Sequence, residues 1–242
     1  MMGNNLEFES NPEMVLNFHD GTNEQISIIV VHSKDQPDFL NICLQSIHVC
    51  SHMNNYEVIV VDNGSGKETQ DYLDVLETEG IKVVKNEKNL YWSAAANKGV
   101  QAASKNSKYL LFLHHDVVVL NRGWIDILVN ASVTGESGFI GVELASYYLN
   151  KSKIDYIPEY CLLMTRECWE DIGPWPDGLP QIGHSFILTQ KAQKKGYKPR
   201  SLKNQIIHHY KNFNLEPGEY KKLQEEASPV IFKLIKEVQY GI

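Results

Sequence analysis

The ten residues "LLFLHHDVVV" (110–119) set three metal-capable side chains, His114, His115 and Asp116, inside an apolar run. Burying such groups without partners costs roughly 1–3 kcal/mol each. Either something compensates them or the run ends there. Polar groups close two earlier apolar runs in the same way: His32, Ser33 and Asp35 follow the first, and Asp62, Asn63, Gly64 and Ser65 follow the second. On a strand, adjacent residues point to opposite faces, so at most one of His114 and His115 can join Asp116 directly. The later pair His208 and His209 divides in the same way. The His-His-Asp spacing matches no common zinc set, which argues against a zinc hydrolase. "DNGSGK" has too few glycines for a dinucleotide fingerprint, and there is no Walker loop.

The elements that must hold these groups follow from patterning. "ISIIVVHS" (26–33) and "YEVIVVDNGS" (56–65) are short, β-branched and apolar on both faces, which predicts buried parallel strands. "IKVVKN" and "KYLLFLHHDVVV" are the third and fourth strands. Helical patterns separate them: "DFLNICLQSIHVC", "KETQDYLDVLETEG" stopped by Gly80, and the small-residue "SAAANKGVQAASKN". "GWIDILVNASV" is a further helix. Alternation of this kind requires crossover connections. It predicts an α/β architecture, a doubly wound, mostly parallel sheet with helices on both faces. In such sheets ligands bind outside the carboxyl ends of the strands, where the polar groups above lie.

The second half is less regular. "GFIGVEL", "YCLLMT" and "NQIIHHY" read as strands, "RECWEDIG" and "SFILTQKAQKKG" as helices. The expected division is an N-terminal arm at 1–25, a domain at 26–210, and a helical extension at 211–242 packed on it. In the extension, Ser228 is a helix N-cap, Pro229 the first helical residue, and Val230, Ile231, Leu234 and Val238 form one stripe.

Composition sets bounds. The 242 residues suffice for one large domain, and the net charge of -7 gives no global pull toward nucleic acid or anionic lipid. Cys43 and Cys50 are seven apart, as are Cys161 and Cys168, which suits two turns of one helix face rather than a zinc ribbon. They read as reduced core cysteines of a cytoplasmic protein. The first residues lack the pattern of a signal peptide, and no stretch has the roughly 18 apolar residues needed to span a bilayer. Peripheral membrane contact stays open.

"SIIVVHSKDQPDFLNICLQSI", "YEVIVVDNGSGKET", "NLYWSAAANKGVQAA" and "KYLLFLHHDVVV" together resemble, in order and spacing, the opening blocks of family-2 glycosyltransferases. "CLLMTRECWEDIGPWPDGLPQIGHSFILTQKAQKKGYK" resembles their acceptor-side block, and "IIHHY" their C-terminal histidine strand. The resemblance covers roughly residues 26–210. It implies a GT-A-like fold, a nucleotide-diphosphate sugar donor, a glycan or other hydroxyl acceptor, and a divalent cation, Mn²⁺ or Mg²⁺. It places Asp62 on the nucleobase or ribose. His32, Asp35, Asn97 and His115 fall among the donor contacts. Asp116 takes the place of the last aspartate of the family's Asp-x-Asp motif, the metal ligand. His114, His208 and His209 are its candidate co-ligands. An imidazole there shifts preference toward Mn²⁺ or softer metals.

Three positions depart from the family pattern. The acidic pair that supplies the family's base is replaced by His184-Ser185, which leaves His184 as the substitute base, an acceptor contact or a surface residue. Asp177 in "PWPDG" is the next candidate base. A glycine common in the "NLYWS" block is replaced by Tyr91, and the aspartate that often follows the second strand's turn is missing. The expected activity is transfer of a sugar to a hydroxyl with inversion, with nucleic acid an unfavoured but open acceptor. The alternative is an inactive nucleotide-sugar or glycan-binding module of the same fold. A sugar-1-phosphate nucleotidyltransferase would need a Gly-rich loop after the first strand, which is absent.

Overall fold

The computed structural model describes residues 26–33, 35–51, 55–134, 137–149, 152–179, 182–202 and 206–210, and near the C-terminus 229–231, 233–234 and 237–238. The expected arm at 1–25 lies outside the described residues, as does most of the expected extension at 211–242.

Strand and helix alternate through β1 (Ile26–His32), α1 (Pro37–Ser51), β2 (Tyr56–Asp62), α2 (Lys67–Thr78), β3 (Lys82–Lys85), α3 (Tyr91–Ala102) and β4 (Tyr109–His114). Then come β5 (Val117–Val119), α4 (Trp124–Thr134), β6 (Phe139–Gly141), β7 (Ala145–Leu149), β8 (Ser152–Tyr156) and β9 (Cys161–Thr165). The chain continues through α5 (Arg166–Ile172), α6 (His184–Lys194), β10 (Arg200–Ser201) and β11 (Ile207–His209). Seven strands form one sheet in the order β10-β6-β9-β4-β1-β2-β3. β1 pairs in parallel with β2 and β4, and β2 with β3, whereas β9 runs antiparallel between β4 and β6.

Every residue of β1 and β2 is buried, as their largely apolar sequences require. Odd and even side chains feed two separate cores. Ile28, Val30, Val58 and Val60 pack with α1 residues Leu40, Cys43, Leu44 and Ile47. Ile29, Val31, Ile59 and Val61 pack with Ala95 and Ala96 of α3. Glu57, a buried carboxylate among β2's apolar residues, is compensated: Ser27 donates to it at 2.6 Å, the Ser104 N–H donates at 2.6 Å, and Lys82 pairs with it.

The small residues of α3 let it lie against the sheet. A Cβ on Gly99 would meet Ile29 Cγ2 at 2.4 Å and Val61 Cγ2 at 3.0 Å. Gly99→Ala should therefore destabilise by about 1–3 kcal/mol through overpacking, although alanine is the better helix former. A urea midpoint equal to or above that of the parent would show that α3 can lift away freely.

The structure revises two expectations, the single strand at 108–119 and the helical cysteine pairs, and adds an antiparallel strand and a hairpin to the expected sheet. "KYLLFLHHDVVV" is not one strand: β4 stops at His114, His115 and Asp116 form a turn, and β5 leaves the main sheet to pair with β11. The turn takes the polar groups out of the apolar ladder. The sheet is mostly parallel, as expected, with one antiparallel strand between β4 and β6, β9, buried from Cys161 to Met164. The β7–β8 hairpin was not anticipated. Cys43 and Cys50 do share α1, but Cys161 lies on β9 and Cys168 on α5. All four thiols are free. Among the described residues no helix is long and apolar enough to cross a membrane. From the C-terminal segment, Ile231 is fully buried against Leu179, Phe186 and Ile187, with Val230, Leu234 and Val238 alongside.

Candidate functional site

The carboxyl ends of β1, β2 and β4 lie side by side, because His32 pairs with Asp62 and Val31 with His114 in the parallel registers. Antiparallel β9 brings its amino end to the same edge: Leu113 faces Cys161, and the His114 N–H donates to the Tyr160 carbonyl at 3.2 Å. β11 arrives from the far end of the chain. Its register sets His209 opposite Val117, and the Tyr210 N–H donates to the Asp116 carbonyl at 3.2 Å.

These pairings bring His114, Asp116 and His209 together. His209 Nε2 lies 3.2 Å and His114 Nδ1 3.9 Å from the same oxygen, Asp116 Oδ1. One ligand atom from each of the three lies within 4.8 Å of the others. The outer ring nitrogens, His114 Nε2 and His209 Nδ1, are buried without hydrogen-bond partners. His209 stacks on Tyr160 at 4.2 Å, and His114 lies against Trp92 at 4.6 Å, which fixes both rings. Burial pushes His114 down to about 3, so its imidazole is neutral near pH 7 with a lone pair to offer. Burial works against charge on Asp116 too, but His209 and the other imidazoles outweigh it and hold the carboxyl at about 2. An ionised carboxylate, the neutral His114 imidazole and the His209 ring in convergent positions fit a divalent cation. The mixed oxygen and nitrogen set suits Mn²⁺ better than Mg²⁺.

His115 and His208 are not among the three clustered groups. His115 lies edge-on to His32 at 4.6 Å, with Nε2 3.4 Å from Gln36 Oε1. His208 is exposed and meets Tyr210 edge-on at 4.8 Å.

Three expected donor contacts hold loops together. Asp62 is fully buried; its carboxylate accepts from the Ser65 N–H at 3.2 Å and from Gln70 Nε2 at 2.5 Å. Asp35 caps α2 from another loop, accepting at Oδ1 from the Thr69 N–H at 3.1 Å and the Thr69 hydroxyl at 2.8 Å. Gly66 makes room for it: a Cβ there would lie 2.5 Å from Asp35 Oδ2. Asn97 donates to the Trp175 carbonyl at 3.1 Å and accepts the Trp175 N–H at 2.9 Å, tying α3 to the loop before α6.

His184 opens α6 in the interior. It is 0% exposed, and its Nδ1 is 2.7 Å from the Ser93 hydroxyl. Asp177 is exposed and lines a cleft of ≈ 190 Å³ with Tyr91, Ser93 and Leu179. Tyr91, where a glycine was expected, holds a left-handed backbone with φ of 61°. Its N–H and carbonyl are fastened to Asn89 at 2.8 Å and Asn63 at 3.2 Å.

Sequence reasoning missed two groups at this edge. Tyr160 supports His209, and Glu159 next to it accepts a hydrogen bond from Ser185 on α6. Their only signal was position, immediately before an apolar strand that proves to be antiparallel.

Comparison with known proteins agrees with this architecture. The model of the family described as "Glycosyl transferase family 2" matches residues 27–175, more than half of the chain. O-antigen biosynthesis protein RfbC of Myxococcus xanthus is 29% identical over 117 residues, which is 48% of this chain but only 9% of that protein. The S. aureus TarS fragment 1–349 superposes with a TM-score of 0.55 at 18% identity, over 70% of this chain and 55% of that one. Its complex with UDP gives 0.60 at 16% identity, over 88% and 70%. The mannosyltransferase PcManGT of Pyrobaculum calidifontis, in complex with GDP-Man and Mn²⁺, gives 0.58 at 15% identity, over 75% and 56%. The chain thus spans about half the length of the first of these structures and a small part of the curated relative. The sheet with its added antiparallel strand is the GT-A fold, and the chain belongs to glycosyl transferase family 2.

Proposed function

We propose that this chain moves a sugar from a nucleotide-diphosphate sugar to an acceptor hydroxyl, with inversion at the anomeric carbon and the help of a divalent cation. The observation that carries the reading is the convergence of Asp116, His209 and His114 at the carboxyl edge of the parallel strands. Relatives of the same fold carry GDP-Man with Mn²⁺, and UDP, which supports the donor class.

Asp116, His209 and His114 would hold the cation. Bound there, it would neutralise charge developing on the diphosphate leaving group. Asp62 and His32, paired at the ends of β2 and β1, lie where the nucleoside would sit. The cleft between Tyr91 and Asp177 is open to an acceptor. The runner-up, a binding module without turnover, rests on the loss of an acidic pair at 184–185.

The test is a panel of nucleotide sugars in a thermal-shift assay, with Mn²⁺ and with chelator, followed by assay of sugar release from any donor that binds. The expected result is a rise in melting temperature for one nucleotide class that needs Mn²⁺, and slow hydrolysis of that donor. Equal shifts in chelator would remove the cation from the reading. Metal-dependent binding with no release would favour the binding module.

A further inference from the structure

The proposed transfer requires a group that takes the acceptor's proton. His184 is enclosed and engaged with Ser93, and Asp177 is an exposed loop carboxylate. The structure points to a third group: we infer that Glu159 is the general base of this chain, an assignment that rests on the transferase reading above.

Three observations carry it. The first is register. The His114 N–H bonds the Tyr160 carbonyl, so Glu159 lies beyond the last rung between β4 and β9, level with the turn that holds Asp116. The second is its contact. Ser185 Oγ donates to Glu159 Oε2, which sets the carboxylate at the first turn of α6, the helix that opens beyond the Asp177 loop. The sequence lacks a carboxylate at 184–185, and the turn before β9 delivers one to that point. The third is environment. Glu159 is partly buried, and burial raises its carboxyl above the usual range, toward the region where a base can accept a proton effectively. Ser185 from α6 and His209 from β11 act in the opposite sense.

The step balances simply. The acceptor oxygen forms a bond to the anomeric carbon as its proton passes to the Glu159 carboxylate. The bond from that carbon to the diphosphate oxygen breaks, and its electron pair leaves with the nucleoside diphosphate. In hydrolysis, water is the acceptor.

The test uses the full chain, the donor selected by thermal shift, and Mn²⁺. Glu159→Gln keeps the acceptor oxygen for Ser185 but cannot take a proton. It should lower hydrolysis by about 10²–10⁴-fold and leave donor affinity within about twofold. Glu159→Asp should recover part of the rate. Ser185→Ala removes a bond that favours the charged form, so the acid limb of the rate profile should move to higher pH.

Stability gives a readout of opposite sign. Glu159's folded pKa is raised, so the folded chain keeps its proton where the unfolded chain has lost it. Its stabilising effect is complete below the ordinary 4.5 and is lost as pH rises through the raised value. Glu159→Gln should therefore melt higher than the parent at neutral and alkaline pH. A purely structural Glu159 would give a lower melting temperature and an unmoved pH profile. If the parent hydrolyses donor and Glu159→Gln does so equally fast, the assignment is overturned while the transferase reading stands. If the parent binds donor with Mn²⁺ and never hydrolyses it, both fall together.

Discussion

Asp116→Asn will abolish Mn²⁺-dependent donor binding and lower donor turnover by about 10³-fold or more. The size follows from what the carboxylate does. It is the single anionic group of the cluster, and both imidazoles are aimed at one of its oxygens. Asparagine fills the same space and keeps one oxygen, so the change is in charge. A cation held by two imidazoles and an amide loses most of its electrostatic attraction. A bound cation contributes several kcal/mol to stabilising charge on a leaving group, and each 1.36 kcal/mol is about tenfold in rate. Asp116 is held at about 2, so metal binding should not weaken through its protonation anywhere near neutral pH. Calorimetry of nucleoside diphosphate binding with and without Mn²⁺ measures the effect. Parent and variant with the same metal dependence would move the cation elsewhere. His209→Ala tests the same cluster from the other end of the chain. It should weaken Mn²⁺ binding while His208→Ala, on the exposed face, should not.

The sequence announced Asp116 because a charged group at the end of an apolar run has few places to go. The rest of the cluster was legible only in part. Alternation said that one of each histidine pair could reach the metal, but not which one. That choice is made by tertiary pairing: β5 leaves the main sheet, β11 joins it, and His209 lands beside Asp116. Glu159 was invisible for a related reason. Parallel strands present only their carboxyl ends at this edge, and "YCLLMT" gave no hint that its strand runs the other way. The β7–β8 hairpin went unread because "ASYYLNKSKIDY" joins two short strands through polar residues without a tight-turn pair. Strands β1, β2 and β4 and the small-residue helix α3 were legible because burial on both faces and close helix-to-sheet contact both demand a particular composition. Asn97 and Asp35 were legible as residues that matter, but the structure gives them work the family resemblance did not imply. Each fastens one loop to another.

Asn97 yields the second large effect. Its amide makes both hydrogen bonds available on the Trp175 backbone, at 3.1 and 2.9 Å. Trp175 is fully buried, edge-on to Phe112 at 5.2 Å and to Trp92 at 5.9 Å. Asn97→Ala leaves a buried N–H and a buried carbonyl unmatched, each costing about 1–3 kcal/mol. Together that is about 2–6 kcal/mol, and at roughly 2–4 °C per kcal/mol for a chain of this size melting should fall by about 4–24 °C. The loop released runs through Asp177 to the first turn of α6, where Ser185 meets Glu159. A displacement of about 1 Å there is enough to cost about 10²-fold in rate. Nucleoside diphosphate affinity with Mn²⁺ should change little, because Asp62 and Asp116 lie on other loops. Asn97→Asp separates geometry from volume. The carboxylate can accept the Trp175 N–H but opposes an oxygen to the Trp175 carbonyl, so this near-isostere should be as destabilising as alanine. An Asn97 that instead touches the donor directly would show the reverse pattern, with weakened nucleotide binding in both variants and melting temperatures close to the parent's.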